Sequence, residues 1–345
     1  MLYLELNEKN ILIAAEQLSA GKLVAFPTET VYGLGCDAFN KAALAKVFEV
    51  KKRPRFDPLI IHIAALDTLE KLVDFSRLTQ KAKHRLTILS RALWPGPLTL
   101  ILPKLQIVPD IATGGLDTVA VRFPAHDGAI RLIKESSGAV AAPSANPFGY
   151  LSPTRAEHVR EQLGVDVDII LDGGAADIGV ESTVLDISAV SPRILRPGGL
   201  PRETVEAFIG PLQVEQVHSD ETVNSPGQLK SHYAPRKDLY LHNSSEMRRL
   251  PFFPDDAYLF FERSSFKTFI ENNKISTEID NTNFFILSAE GDTREAAVRL
   301  FDTLHTIDAL PVSNIHAERA PESGLGAAIN DRLSRARAQA RNVNK

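Results

Sequence analysis

With 345 residues the chain has room for about two domains at ~150 residues each. Its 44% apolar and 24% charged residues exclude a disordered tail, a collagen-like fibre and a coiled coil. A net charge of -4, no run of the ~18 apolar residues a membrane span needs, and an opening MLYLELNEKN that is acidic where a signal peptide is basic set the expectation of a cytoplasmic protein with no membrane partner.

Taken in order, Ile11, Ala14, Ala15 and Leu18 keep helical spacing, and Gly21 is placed to stop that helix. LVAF (23–26) reads as a short buried strand ended by Pro27, and Asn40 as the N-cap of a helix with Leu44, Val47 and Phe48 inward. LIIHI (59–63), LTLIL (98–102), TVAVRF (118–123), AVAA (139–142), DIIL (168–171) and STVLDI (182–187) read as strands; Asp127 and Pro153-Thr154 read as helix starts. Strands interleaved with helices, some strands following one another directly, predict an α/β domain with a mixed sheet over residues 1–210. Residues 211–236, polar with three prolines and little periodicity, read as a linker. Beyond it LYL (239–241), AYLFF (257–261) and FFIL (284–287) alternate with helical stretches, the last two near 292–306 and 324–340. They predict a smaller α/β domain with a parallel sheet over 237–345.

The single Cys36 permits no intrachain disulfide and no Cys-rich zinc site, and it reads as a small packed residue. Residues 1–200 carry 22 basic and 22 acidic side chains, so that half is no basic nucleic-acid surface and strong direct tRNA binding is not expected.

Five segments carry chemistry. FPTETVYGLGCDA (26–38) sets hydroxyls and an acid beside two glycines, as a tight strand-to-helix turn or as backbone that approaches a ligand closely. KKRPRFDP (51–58) puts four cations in five residues. They suit a polyanion such as a triphosphate, or simply a helix C-terminus, with prolines fixing Arg53 and Asp57. Arg122 stands in the apolar strand TVAVRFP and needs an anionic partner, from the protein or from a ligand. His62 in LIIHI is open to a structural role or a contact on the sheet's other face. AAPSANPFGYLSPT (141–154) is a rigid hydrogen-bonding loop suited to a nucleotide or to a polar surface turn, and LDGGAADIGVESTVLD (171–186) with ILRPGG (194–199) adds glycine turns. No Walker A, zincin or G-x-S-x-G pattern occurs. Cations, hydroxyls and glycine turns at strand ends together describe a nucleotide-plus-carboxylate site.

GKLVAFPTETVYGLGCDA, KKRP, WPGPLTLIL, VAVRFP, APSANPFG and STVLD, in that order, resemble the YrdC-type core of the threonylcarbamoyl-AMP synthase family. SPGQLKSHYAPR and GLGAAINDRLSRA resemble the linker and last helix of its long two-domain form. The resemblance covers essentially the whole chain. It implies an open, twisted mixed-sheet core with a cavity, a linker that folds over the site as a lid, and a Rossmann-like C-terminal domain. It implies condensation of L-threonine, bicarbonate or CO2, and ATP, with Mg2+, to L-threonylcarbamoyladenylate and pyrophosphate. The adenylate would pass to a separate transferase that modifies the tRNA adenosine next to the anticodon. By motif, Lys51, Arg53, Asp57, Thr118, Ser144, Asn146, Ser152, Arg196 and Tyr233 fall on ATP-side positions, Lys51 and Arg53 also as the catalytic cations. Thr30, His62, Arg122, the backbone of Ala142, and Ser182 fall on threonine-side positions. A metal-ligand set is not implied. The competing readings are a related carbamoyl transferase of hydrogenase maturation, whose cysteine-rich zinc fingers a single Cys36 argues against, and an RNA-binding module with the same core and no turnover.

Overall fold

The computed structural model of the chain describes residues 1–189, 191–214, 233–275 and 283–339. Among them, 1–148 and 152–214 gather into one compact unit, and 149–151 with 233–339 into another. Most of the segment read as a linker and lid, 211–236, lies outside the described residues.

The first unit is built on eleven strands: β1 (Leu2–Glu5), β2 (Val24–Phe26), β3 (Gly33–Asp37), β4 (Ile60–Ile63), β5 (Leu98–Pro103), β6 (Thr118–Arg122), β7 (Ala139–Ala141), β8 (Ile169–Asp172), β9 (Thr183–Asp186), β10 (Arg193–Arg196) and β11 (Gln213–Val214). Their order is β1-β8-β2-β3-β7-β4-β6-β5-β9-β10-β11, with parallel and antiparallel neighbours mixed, as expected.

Period-two alternation sorts the side chains of these strands. Ile61 and Ile63, Val119 and Val121, and Leu98, Leu100 and Leu102 enter the large core, together with Leu44, Val47 and Phe48 of helix Lys41–Lys51. Asn40 caps that helix by accepting from the Ala42 and Ala43 amides. Val24, Phe26 and Val140 face the other way, under helices Glu8–Ser19 and Asp127–Glu135. Farther along that second face, polar residues (His62 on β4, Arg122 and Thr118 on β6, Thr99 on β5) stand beside a small apolar cluster of Ile60, Ile101, Ala120, Val184 and Leu195.

Two expectations need correction. The FPTETVYGLGCDA segment is not a strand-to-helix turn: Gly33–Asp37 is β3, antiparallel to β2 and β7. Its glycines permit that pairing, since a Cβ on Gly35 would lie 2.7 Å from the Phe26 ring and 2.9 Å from Val140 Cγ1. The helix read from Pro153-Thr154 begins at Ala156. The Pro153 and Thr154 carbonyls accept instead from the amides of Tyr32 and Ala176, which ties both residues to neighbouring loops.

The second unit holds β12 (Asp238–His242), β13 (Ala257–Glu262), β14 (Phe284–Ser288) and β15 (Asn314–Glu318), all parallel, in the order β12-β15-β13-β14. Met247, Tyr258, Phe260 and Phe269 form its core. Helix Thr293–Ala309 buries Ala296, Leu300 and Leu304, and helix Gly326–Gln339 closes the described chain. Gly149–Leu151 joins this unit through Ala234, whose amide donates to the Gly149 carbonyl at 2.8 Å.

Candidate active site

Strand register assembles the first half of the site. His62 on β4 lies opposite Arg122 on β6, and Arg122 lies opposite Thr99 on β5, so three side chains stand in a row across adjacent strands. Thr99 continues the row to the loop before β9, its hydroxyl 2.7 Å from that of Ser182. Arg196 at the end of β10 closes it: its Nη2 donates to the Ser182 carbonyl at 2.9 Å and to the Ser182 hydroxyl at 3.2 Å. The loop between β2 and β3 supplies Thr30, whose hydroxyl lies 2.9 Å from that of Thr28, and Glu29, whose carboxylate is 2.7 Å from Arg122 Nη2. The anionic partner that Arg122 needed is therefore present in the protein. Ala142 follows β7, with its amide donating to the Ile60 carbonyl at 2.9 Å and its Cβ against Gly33. Burial and the Arg122 charge depress the His62 pKa to about 3, so its imidazole is neutral near pH 7.

The second half gathers around the helix end at Lys51. Lys51 is fully buried, and its Nζ donates to the Ser144 carbonyl at 2.6 Å and to that of Asn146. The Phe148 amide donates back to the Lys51 carbonyl at 2.7 Å. Burial, with Arg53 nearby, pushes the Lys51 pKa well below its ordinary value, and Asp57 opposes that shift. Lys51 thus clamps the Ser144–Asn146 loop in this structure, with two of its three ammonium donors given to that loop. Arg53 pairs with Asp57 at 2.9 Å and donates to the carbonyls of Asp57 and Pro58, so the Pro54–Pro58 turn is wound around its guanidinium. Ser144 forms a bridge with Gly33, bringing this loop against β3. Ser152 donates to the Glu181 carboxylate, one residue before Ser182, and Thr118 opens β6 two residues before the Ala120–Ile60 pair.

Register and hydrogen bonds thus join His62, Arg122, Ser182 and Arg196 in one line, and Lys51, Ser144 and Asn146 in a second cluster. Tyr233 belongs to the second unit, its ring 5.7 Å from that of Phe301 and under the Arg332 guanidinium at 5.1 Å. Sequence reasoning missed Glu29, Thr99 and Glu181. The demand of Arg122 for an anion was the signal for Glu29, but it did not say which carboxylate would answer. Cys36 is fully buried, and burial raises its pKa, so it packs as expected.

The family model described as telomere recombination, that of Sua5, YciO and YrdC, matches residues 16–198. The model of the threonylcarbamoyl-AMP synthase C-terminal domain matches residues 200–338. The chain is 42% identical to the threonylcarbamoyl-AMP synthase of Pyrococcus abyssi (strain GE5 / Orsay), over 96% of this chain and 95% of that protein. It is 39% identical to that of Bacillus subtilis (strain 168), over 96% and 94%. Among solved structures it is similar to P. abyssi Sua5 complexed with L-threonine, with TM-score 0.83, 38% identity, and 98% and 97% of the two chains covered.

Proposed function

The chain belongs to the threonylcarbamoyl-AMP synthase family in its two-domain form, and on that premise we propose how its residues serve the reaction. The activity is formation of L-threonylcarbamoyladenylate from L-threonine, bicarbonate or CO2, and ATP, with release of pyrophosphate. The observation that carries the threonine assignment is the row His62–Arg122–Thr99–Ser182, which ends a buried sheet face in a guanidinium flanked by hydroxyls. A guanidinium there suits the amino acid's carboxylate, a bidentate match, and the hydroxyls and neutral imidazole suit its side-chain hydroxyl. A structural neighbour crystallised with L-threonine supports this reading.

ATP is assigned to the loop that Lys51 fixes and to the turn wound on Arg53. Ser144, Asn146, Ser152, Asp57 and Thr118 are assigned to that side, and Tyr233 is assigned to ATP by its motif alone. The deprotonated threonine amine attacks CO2 with release of a proton to solvent, or bicarbonate with loss of water, to give a carbamate; a carbamate oxygen then attacks the α-phosphorus and expels pyrophosphate. No side chain need be covalently modified. Arg53 and Arg196 offset the charge that develops on the phosphates, and positioning supplies much of the rest. Among the described residues no three His, Cys, Asp or Glu side chains gather to cage a metal. Mg2+ entering with ATP would supply positive charge at the phosphates, beside that of Arg53 and Arg196.

No helix among the described residues is long and apolar enough to cross a membrane. The use of its product in tRNA modification is the ground on which we place the protein in the cytoplasm. Its product passes to the transferase that modifies tRNA. The direct test is mass spectrometry of a reaction of the purified chain with threonine, bicarbonate, ATP and magnesium. A threonylcarbamoyladenylate mass is expected; ATP left unchanged beside folded protein would favour the RNA-binding reading.

A further inference from the structure

Arg122 and Glu29 form an ion pair in which both side chains are 4% exposed. Its polar atoms are poorly served. Among the described residues neither carboxylate oxygen of Glu29 accepts a hydrogen bond of good geometry, and Arg122 Nε and Nη2 donate none. His62 Nδ1, on the adjacent strand, is likewise buried without a partner. A buried pair that only stabilised the fold would need its remaining lone pairs and protons satisfied, because desolvation otherwise consumes the attraction. Such groups call for another explanation.

The charges of the pair sum to zero. A ligand carboxylate that takes Arg122 displaces Glu29 from the guanidinium and leaves a buried anion, which is costly unless the ligand brings a cation. An amino acid brings one. Its ammonium sits one carbon from its carboxylate, within reach of a group that had touched the same guanidinium. We propose that Glu29 receives the α-ammonium of the substrate, so that the zwitterion inserts between Glu29 and Arg122 and the site rejects carboxylates that lack an amine. This rests on the reading that the threonine carboxylate binds Arg122. Glu29 then determines specificity and also holds the nitrogen that must attack the carbon donor.

Calorimetry on the unaltered chain with L-threonine and with (3R)-3-hydroxybutanoate, which keeps the carboxylate and hydroxyl but lacks the amine, tests it without any variant. The deaminated acid is expected to bind at least about 100-fold more weakly, the scale of a lost charge-assisted contact. In Glu29→Gln that gap should shrink to about tenfold or less, chiefly because threonine binds more weakly. Glu29→Asp, which keeps the charge, should restore most of the discrimination. Equal affinities in the unaltered chain, or an unchanged gap in folded Glu29→Gln, would overturn the role of Glu29 alone. No binding of threonine to the unaltered chain would overturn the substrate assignment, and this inference with it.

Discussion

Arg53 supports its turn and is also proposed to neutralise phosphate charge in the reaction. Its guanidinium holds the buried Asp57 carboxylate and two turn carbonyls. Arg53→Ala alone should therefore cost about 3–5 kcal/mol of stability, the usual result of breaking a buried pair, as well as activity. Pairing it with Asp57→Asn should recover much of the stability in denaturant melts and none of the pyrophosphate release. Recovery of both would remove Arg53 from the chemistry. Lys51→Met takes the donor from two carbonyls, at about 1–3 kcal/mol for each one left unsatisfied. It should also raise the KM for ATP by loosening the Ser144–Asn146 loop; a KM unchanged in a folded variant would contradict the clamp.

His62 gives a pH prediction. Its pKa is about 3 when folded against 6.5 as the ordinary value, so between those limits the unfolded chain binds a proton that the folded chain refuses. Stability therefore falls on acidification, by up to about 1.4 kcal/mol per pH unit from this residue. His62→Asn should flatten the decline of the denaturation midpoint between pH 6.5 and pH 4; an undiminished slope would mean that His62 protonates freely. The sequence made most of these residues visible as chemically odd members of their segments: a cation in an apolar strand, an imidazole in LIIHI. What it withheld were partners. Glu29 lies 93 positions from Arg122 and Thr99 lies 83 from Ser182, and only strand register brings them together.

At the scale of elements, the glycine turn after β10 carries the placement of Ser182. A Cβ on Gly198 would overlap the backbone of Glu181, Ser182 and Thr183, none of which is a flexible side-chain end. Gly198→Ala should thus cost about 1–3 kcal/mol, the range for overpacking, and raise the KM for threonine more than that for ATP. Equal effects on the two would detach Ser182 from the threonine side. Helices were legible where apolar spacing and a cap agreed, as at Asn40. The hairpin β2–β3 was misread because glycines in GLGCDA mimic a turn, whereas here they make room for Phe26 and Val140. Strand β15 was overlooked for another reason. NIHAE reads as polar, yet His316 lies 3.1 Å from Asp256, and Glu318 accepts from the Ser265 hydroxyl at 2.6 Å and the Phe261 amide at 2.9 Å. Polar residues satisfied by distant partners conceal a buried strand from any reading of local composition.

At the scale of the whole molecule, the two α/β units and the mixed and parallel characters of their sheets followed from the spacing of strand and helix signals. One feature had no local signal: Gly149–Leu151, which follows the APSANPF loop, belongs to the second unit through Ala234. A chain ended at residue 210 would lose that partner. Limited proteolysis should cut such a shortened chain at 149–151 while leaving the full chain intact there, and equal protection would show that the segment does not depend on Ala234.

This chain is a threonine-dependent adenylate-forming enzyme. The measurement that tests this most directly is pyrophosphate release from ATP and magnesium, with threonine and bicarbonate each added and omitted. Release only when both are present is the predicted result. Release indifferent to either, or none from a folded sample, would contradict it.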